Sequence, residues 1–248
     1  MIAHMSLQIA DFSRVVFFTG AGLSAASGVP TYRGKGGIWK SYDYESCACQ
    51  EAFERDPEYV WEFHNYRRSL IAKCEPTKGH RLIARFEAQL PDACVVVTQN
   101  IDGLHQLAGS RRVHELHGSI WQLRCDRCSY REETREAPLC ELHCPSCKSA
   151  YKRPNIVWFG DSLFPEVLSA VDDALRQCDL LISIGTSAQV YPAAQMPLVA
   201  KRAGATLVEI NPEETPLSHA YAHHYRTTAD EALRELFRSS DLRTSETR

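Results

Sequence analysis

Residues 15–25 read Val-Val-Phe-Phe-Thr-Gly-Ala-Gly-Leu-Ser-Ala. The first four are apolar without polar alternation, which is typical of a parallel strand that is buried on both faces. The residues after this run match the pattern G-x-G-x-x-[G/A] at Gly20, Ala21, Gly22 and Ala25. In that pattern a tight turn lets the backbone approach a pyrophosphate at the start of a helix. The stretch therefore predicts a strand followed by a nucleotide-binding turn, although an ordinary glycine turn also fits the bare pattern.

Three further apolar runs without alternation follow along the chain: Cys94–Val97, Leu180–Ile184 and Thr206–Ile210. Helical patterns of apolar residues separate or follow them: Lys78–Leu90, Phe164–Cys178, Pro192–Ala203 and Ala229–Leu236. Strands that alternate with helices predict an α/β fold with a doubly wound parallel sheet. Ligands bind outside the carboxyl ends of such strands. We therefore expect a site built from residues 20–33, 99–105, 185–187 and 211–214.

A dehydrogenase of this fold class carries an acidic residue about 20 positions beyond the glycine turn, after a second strand. Here the chain continues as Ser27-Gly28-Val29-Pro30-Thr31-Tyr32-Arg33-Gly34, which reads as a loop. Hydride transfer by a plain dinucleotide-binding domain is therefore disfavoured.

The composition of the chain is that of a globular protein. It has 248 residues, 44% apolar and 24% charged, with a net charge of −3. No overall positive field would attract nucleic acid or acidic lipid, and we expect neither a membrane nor a specific nucleic-acid partner. No run reaches the roughly 20 apolar residues of a membrane helix, and residues 1–11 do not resemble a signal peptide. A cytoplasmic location is expected.

Two close pairs stand out among the ten cysteines: Cys125/Cys128 and Cys144/Cys147. Two C-x2-C knuckles at this separation are typical of Zn²⁺ held by four thiolates. Four protein ligands leave no open coordination position, so the predicted zinc is structural. Cys140 and His143 are predicted to stay outside this site.

Polar residues are dense in two neighbouring segments, 98–105 and 114–119. His117 directly precedes Gly118 and is the preferred candidate for a general base, because imidazole titrates near neutral pH. For His105 and His114 we favour a structural capping role.

These motifs together resemble the sirtuins, which are NAD-dependent protein lysine deacylases, over residues 14–236. The resemblance is carried, in family order, by GAGLSAASGVPTYRG at 20–34, QNID at 99–102, HG at 117–118, the four cysteines, PNIVWFG at 154–160, GTS at 185–187 and IN at 210–211. Arg67 is similar to the arginine of the class III, desuccinylase-type subgroup. This chain departs from the family pattern at three positions. It has Tyr32 where phenylalanine is usual, Ala26 where glutamate is common, and His64 where class III members have tyrosine.

The resemblance implies two domains. A Rossmann-like NAD-binding domain would comprise residues 1–31, 76–120 and 154–238. A small domain would combine a helical module, 32–75, with the zinc ribbon, 121–153. Residues 239–248 are expected to form a disordered tail.

The resemblance also implies a role for individual residues in a cleft that takes NAD and acylated lysine side chains of proteins. The catalytic residues would be His117 and Asn100. NAD contacts would come from Gly20, Ala21, Gly22, Ala25, Tyr32, Arg33, Gln99, Asn100, Ile101, Asp102, Gly185, Thr186, Ser187, Asn211, Pro212, Glu213 and Ala229. Substrate contacts would come from His64, Arg67, Val157, Trp158, Phe159, Gly160 and Val190. Val157, Phe159 and Gly160 would pair with the substrate backbone, and Trp158 would line the acyl-lysine tunnel.

The reaction implied by the resemblance transfers the acyl group to ADP-ribose and releases nicotinamide and free lysine, with His117 as the base and no metal taking part. A protein mono-ADP-ribosyltransferase that uses the same NAD site is the alternative enzyme, and a zinc-ribbon interaction module is the non-enzymatic one. His64 and Arg67 are three residues apart, so on a helix they share a face and can converge on one acyl group. Arginine can grip a carboxylate through two charge-assisted hydrogen bonds. We expect the charge of His64 to depend on pH, and the neighbouring Arg68 to be a solvated helix residue.

Overall fold

A parallel β-sheet organises the larger part of this computed structural model, which describes residues 7–31, 37–38 and 41–238. Its strands, in spatial order, are β3 (Val113–Glu115), β2 (Cys94–Thr98), β1 (Val15–Thr19), β7 (Leu180–Ile184), β8 (Thr206–Ile210) and β9 (His223–Tyr225). Every pairing in this sheet is parallel. The short edge strand β9 was not predicted, because its two half-buried residues and one exposed residue make no recognisable apolar run.

Helices cover both faces of this sheet, as the unbroken apolar strands predict. The helices are α1 (Ala21–Ser24), α2 (Tyr44–Cys47), α3 (Gln50–Arg55), α4 (Pro57–Ile71), α5 (Lys78–Gln89), α6 (Leu104–Ala108), α7 (Pro165–Gln177), α8 (Met196–Arg202) and α9 (Ala229–Arg238). Phe17 of β1 packs on one face with residues of α5 and α9. Its neighbour Phe18 packs on the other face with residues of α7 and α8. The predicted doubly wound sheet is confirmed. Nowhere in residues 7–31, 37–38 and 41–238 is a helix both long and apolar enough to span a membrane.

A second, antiparallel sheet carries the cysteine pairs. Its strands are β4 (Gly118–Cys125), β5 (Arg131–Glu133) and β6 (Lys152–Ile156), in the order β5-β4-β6. The sheet thus extends beyond residues 121–153 at both ends. Trp61 of α4 is fully buried in the core that joins this sheet to the helical module, and its indole N–H donates to the carbonyl of Lys152 across 2.7 Å.

Arg68 of α4 fastens the helical module to the second sheet. Its guanidinium is fully buried and donates to the carbonyls of Ile120, Thr134 and Glu136. It also lies 4.9 Å above the centre of the Trp121 ring. The expectation that Arg68 is solvated was wrong, because three backbone carbonyls replace its water shell. A buried charge is tolerated when hydrogen bonds satisfy it in this way.

The strand order reverses at β1, since β2 and β3 lie on one side of it and β7, β8 and β9 on the other. The loops that leave the carboxyl ends of β1 and its neighbours diverge at such a switch point and open a crevice. The second sheet begins at Gly118, just after β3 ends. The fold therefore brings the polar loops of the large sheet and the start of the second sheet to one place.

Candidate active site

A cleft of about 690 Å³ lies where the strand ends of the large sheet meet the second sheet and the helical module. The large sheet contributes the following predicted residues to its wall: Gly20, Ala21, Gly22, Gln99, Asn100, Ile101, Gly185, Thr186, Ser187, Asn211 and Glu213. The opposite wall holds His117, His64, Arg67, Val157, Trp158, Phe159 and Gly160, with Val190 beside them. Residues from distant parts of the sequence are thus gathered around one space.

Several predicted contact residues do not line the cleft. Ala25, Asp102, Pro212 and Ala229 are absent from its wall. Asp102 is 3% exposed and lies behind the wall, where it supports other residues. Tyr32 and Arg33 lie outside the described residues.

The glycines of the first loop are required by the close approach of two backbones. The N–H of Gly22 donates to the carbonyl of Gly185, in the loop after β7, across 2.9 Å. A Cβ on Gly22 would lie 2.6 Å from the Cα of Gly185, and a Cβ on Gly20 would lie 2.8 Å from the Gly185 carbonyl oxygen. Gly185 itself has φ of +62°, which side chains rarely adopt. The two loops therefore form a bare backbone floor on which a pyrophosphate can lie, as the nucleotide-binding turn requires.

Asn100 is held beside this floor by a chain of hydrogen bonds. Its side-chain amide donates to the carbonyl of Gly20 across 3.0 Å and to the hydroxyl of Ser24 across 3.2 Å. Ser24 in turn donates to a carboxylate oxygen of Asp102 across 2.7 Å. Asp102 accepts a further bond from the N–H of Leu104. Burial raises the pKa of Asp102, against the opposing effect of these hydrogen bonds. The sequence did not single out Ser24, because a serine in the first turn of a helix is common.

His117 lies between β3 and β4 with one ring nitrogen fixed. Its Nδ1 donates to the carbonyl of Gln99 across 3.0 Å, so the proton of the neutral ring sits on Nδ1. Nε2 then keeps the lone pair and is the basic nitrogen. Burial lowers the pKa of His117, and the hydrogen bond to Gln99 opposes this shift. The ring is therefore neutral and ready to take a proton at neutral pH.

The segment that follows β6 is anchored from several sides. The N–H of Val157 donates to the carbonyl of His117, and the N–H of Phe159 to the carbonyl of Ala48. The N–H of Trp158 donates to the carboxylate of Asp161 across 3.1 Å. These three donors are occupied within the protein. The carbonyl of Trp158 is occupied as well, because it accepts the N–H of Asp161 across 3.0 Å.

Three side chains meet at the far end of the cleft: His64, Arg67 and Trp158. His64 is 1% exposed, and its Nε2 accepts the indole N–H of Trp158 across 3.2 Å. Burial and then the charge of Arg67 hold the pKa of His64 well below its usual range. The expectation of a pH-dependent charge was wrong for neutral conditions, since the buried ring stays uncharged. Its Nδ1 then carries the proton and, among the described residues, has no hydrogen-bond partner. Arg67 is 4% exposed, so it too is no solvated helix residue.

The four paired cysteines form a compact cluster at the second sheet. The sulfur atoms of Cys125, Cys128, Cys144 and Cys147 all lie within 4.8 Å of one another. The Cys125–Cys147 and Cys128–Cys144 sulfurs are 3.7 and 3.6 Å apart. A tetrahedron with Zn–S bonds of about 2.3 Å has edges of about 3.8 Å, so the cluster fits Zn²⁺. Cys140 and His143 are not part of the cluster.

Comparisons with known proteins agree with this geometry. A model described as the Sir2 family matches residues 20–192. The NAD-dependent protein deacylase of Aquifex aeolicus (strain VF5) is 44% identical over 225 residues, covering 90% of this chain and 93% of that protein. The mitochondrial NAD-dependent protein deacylase sirtuin-5 of Canis lupus familiaris is 37% identical, covering 94% of this chain and 87% of that protein. A crystal structure of a Sir2 homologue in complex with NAD superposes with a TM-score of 0.86 at 41% identity, covering 93% of this chain and 90% of that one.

Proposed function

We infer, because this chain belongs to the Sir2 family, that it is an NAD-dependent protein lysine deacylase. NAD is consumed as a co-substrate, and the protein lysine is returned with its free amine. The single observation that carries the chemistry is the state of His117. A neutral imidazole whose Nδ1 is committed to the Gln99 carbonyl presents Nε2 as a base within the cleft.

The glycine floor fits NAD. The absence of Cβ atoms at Gly20, Gly22 and Gly185 lets the two loops pack backbone against backbone, and the pyrophosphate would lie on this floor. Gln99, Asn100 and Ile101 would face the nicotinamide ribose. When NAD is bound, it supplies an electrophilic ribose carbon with nicotinamide as leaving group. His117 would take a proton from a ribose hydroxyl at Nε2. Asn100 would orient the ribose, held in place by Ser24 and Asp102.

The acyl-lysine would enter from the side of the second sheet. Its backbone would pair with Val157, Phe159 and Gly160 by strand addition, using the carbonyls of Val157 and Phe159, with Val190 on its other side. Trp158 would flank the lysine chain, and the acyl group would reach His64 and Arg67. Both residues would present donors, since the proton of neutral His64 is on Nδ1. We propose that acidic and neutral acyl groups are both accepted, with acetyl and succinyl as the test pair.

Two wider assignments complete the proposal. The NAD-binding domain and the small domain would follow the division at 1–31, 76–120 and 154–238 against 32–75 and 121–153, except that residues 118–120 and 154–156 belong with the second sheet and therefore with the small domain. A structural Zn²⁺ would stabilise the small domain. The enzyme would act in the cytoplasm on acylated proteins.

Product analysis by mass spectrometry tests this function. An acetylated or succinylated peptide and NAD are expected to give deacylated peptide, nicotinamide and O-acyl-ADP-ribose in equal amounts. ADP-ribosylated peptide with the acyl group still in place would instead identify a mono-ADP-ribosyltransferase. Absence of any NAD consumption across a panel of acyl peptides would contradict both activities.

A further inference from the structure

A buried carboxylate lies behind the loop that closes one end of the cleft. Glu209 is on β8, is 3% exposed and is not part of the cleft wall. The loop that follows β8 contributes Asn211, Glu213, Glu214, Thr215 and Pro216 to that wall. Asn211 and Glu213 are among the residues expected to contact NAD. With the pyrophosphate on the glycine floor and the nicotinamide ribose at Gln99 and Asn100, this end of the cleft would take the adenosine half. The carboxylate of Glu209 therefore lies behind a loop of the cleft wall and does not face the cleft itself.

Glu209 holds the end of this loop directly through two hydroxyl groups. Its Oε1 accepts the hydroxyl of Thr215 across 2.7 Å, and its Oε2 accepts the hydroxyl of Ser218 across 2.6 Å. Ser218 is itself bonded to the N–H of Thr215 across 2.8 Å, which closes a small turn. One carboxylate therefore fixes both hydroxyls that shape this part of the loop.

Arg226, just beyond β9, extends the network to the other half of the loop. Its guanidinium donates to Glu209 across 2.7 Å and to the carbonyls of Asn211 and Glu213 across 3.4 Å each. Nδ1 of His224 lies 3.2 Å from the same carboxylate oxygen. The carbonyls held by Arg226 belong to residues that line the cleft.

Glu209 is charged in this setting. Burial would raise the pKa of its carboxyl, but the hydrogen bonds from its partners outweigh burial and lower the pKa below the ordinary value for glutamate. A buried carboxylate with this many donors is ordered by all of them. A glutamine at this position would keep one accepting oxygen, so either Thr215 or the pair Ser218 and Arg226 would lose its acceptor and face an amide NH2 group. Such a loss is more costly in a buried site than the loss of an exposed ion pair.

We propose that Glu209 is a positioning residue for the adenosine end of the NAD site, acting through Thr215, Ser218 and Arg226 on the loop 211–216. The proposal rests on the assignment of this cleft to NAD. It predicts a selective effect: binding of the nucleotide weakens, while the chemistry at His117 and the binding of the acyl-lysine are unchanged.

The test is the variant Glu209→Gln, which keeps the shape of the side chain and removes its charge. We expect the KM for NAD to rise about tenfold, with kcat at saturating NAD and the KM for the acyl peptide within about threefold of wild type. Titration calorimetry with ADP-ribose is expected to show the same loss of affinity. The milder variant Ser218→Ala is expected to raise the KM for NAD about threefold, and it keeps the test available if Glu209→Gln does not fold.

Glu87 supplies a matched control at the opposite side of the large sheet. It is 4% exposed, and its carboxylate accepts hydrogen bonds from the backbone N–H groups of Arg111 and Arg112, away from the cleft. Glu87→Gln is expected to lower the melting temperature without changing the KM for NAD. The proposal would be overturned if the two variants lost similar stability and the KM for NAD rose no more in Glu209→Gln than in Glu87→Gln. So would a loss confined to kcat. If the wild-type protein does not bind ADP-ribose, the assignment of the cleft to NAD fails instead.

Discussion

The indole N–H of Trp158 points at Nε2 of His64 across 3.2 Å, and the two rings lie within 18° of parallel. This contact fixes the tautomer of the buried imidazole, because an accepting Nε2 leaves the proton on Nδ1. The Nδ1–H group has no partner among the residues that the structure describes. A buried donor without a partner is costly unless a ligand satisfies it. In the proposed function, His64 would donate from Nδ1 to an acceptor on the acyl group, and it would do so without charge.

The first prediction follows from the size of this donor. Tyrosine reaches further than histidine, so His64→Tyr is expected to bring a hydroxyl closer to a distal carboxylate beside Arg67. The ratio of kcat/KM for succinyl to that for acetyl peptide should rise about five- to tenfold, which corresponds to one added hydrogen bond. His64→Phe is the matched control, since it has the ring of tyrosine without the hydroxyl. An equal rise in the phenylalanine variant would show that ring size, and not hydrogen bonding, sets the preference.

The second prediction concerns the charge at the same end of the cleft. Arg67 is buried and lines the cleft, so Arg67→Met keeps much of its packing while removing its charge. We expect desuccinylation to fall about 10- to 100-fold and deacetylation to change by less than about threefold, because only the carboxylate gains charge-assisted bonds from arginine. Both activities are measured on the same peptide sequence. Equal losses would mean that Arg67 supports the fold of the pocket and does not read the acyl group.

The outline of the fold and much of the cleft wall could be predicted from the sequence. The central strands β1, β2, β7 and β8 are buried on both faces, so each is a mostly apolar run, with Glu209 of β8 as the charged exception. The glycine loop and the four cysteines are equally local signals, since their function depends on spacing along the chain. Local patterns of this kind can be recognised in the sequence without knowledge of the tertiary structure.

The states of individual side chains could not be predicted, because distant residues set them. In the sequence, Arg68 is indistinguishable from an exposed residue of a helix. Only the fold places the carbonyls of the second sheet within hydrogen-bond distance of its guanidinium. Asp102 is adjacent to cleft residues in sequence, yet it faces Ser24 behind the wall. The charge of His64 is decided by burial and by the arginines around it. Each of these results depends on contacts more than 50 residues apart or on burial, neither of which a motif records.

The third prediction concerns the metal. We expect about one Zn²⁺ per chain, and loss of the metal in Cys125→Ala or Cys147→Ala should unfold the second sheet, because thiolate coordination contributes directly to folding. Cys140→Ala is the matched control, since Cys140 is exposed and outside the cluster. Elemental analysis with circular dichroism measures both effects. Active protein without zinc would contradict the prediction.

The fourth prediction is a loss of stability in mild acid. Burial lowers the pKa of His80 to about 4 and holds that of His105 well below its usual range, as it does for His64. Each ring therefore binds a proton more readily in the unfolded chain than in the folded one. Stability from this source is complete above the unfolded pKa of about 6.5, and it falls by about 1.4 kcal/mol per pH unit and per ring as the pH drops from there towards the folded pKa. Urea unfolding at pH 7.5, 6.0 and 5.0 measures the slope. In His80→Gln the number of protons taken up on unfolding, which sets this slope, should fall by about one. An unchanged slope would show that His80 does not contribute.

The last prediction separates catalysis from binding at His117. The ring is the base of the proposed reaction, and its Nδ1 is committed to Gln99, so no other nitrogen of this side chain can take the proton. Removal of a general base commonly costs about 10²–10⁴ in rate. We therefore expect His117→Tyr to lower kcat by that amount, while ADP-ribose binding stays within about threefold, since the glycine floor and Asn100 are untouched.

The pH profile gives a second readout. Because burial lowers the pKa of His117 below 6.5, kcat/KM of the wild type should already be level above pH 7 and should decline only in acid, as the base becomes protonated. The variant's residual activity should lack that acid limb. Near wild-type turnover in His117→Tyr, or an acid limb that persists in it, would assign the base to a different residue.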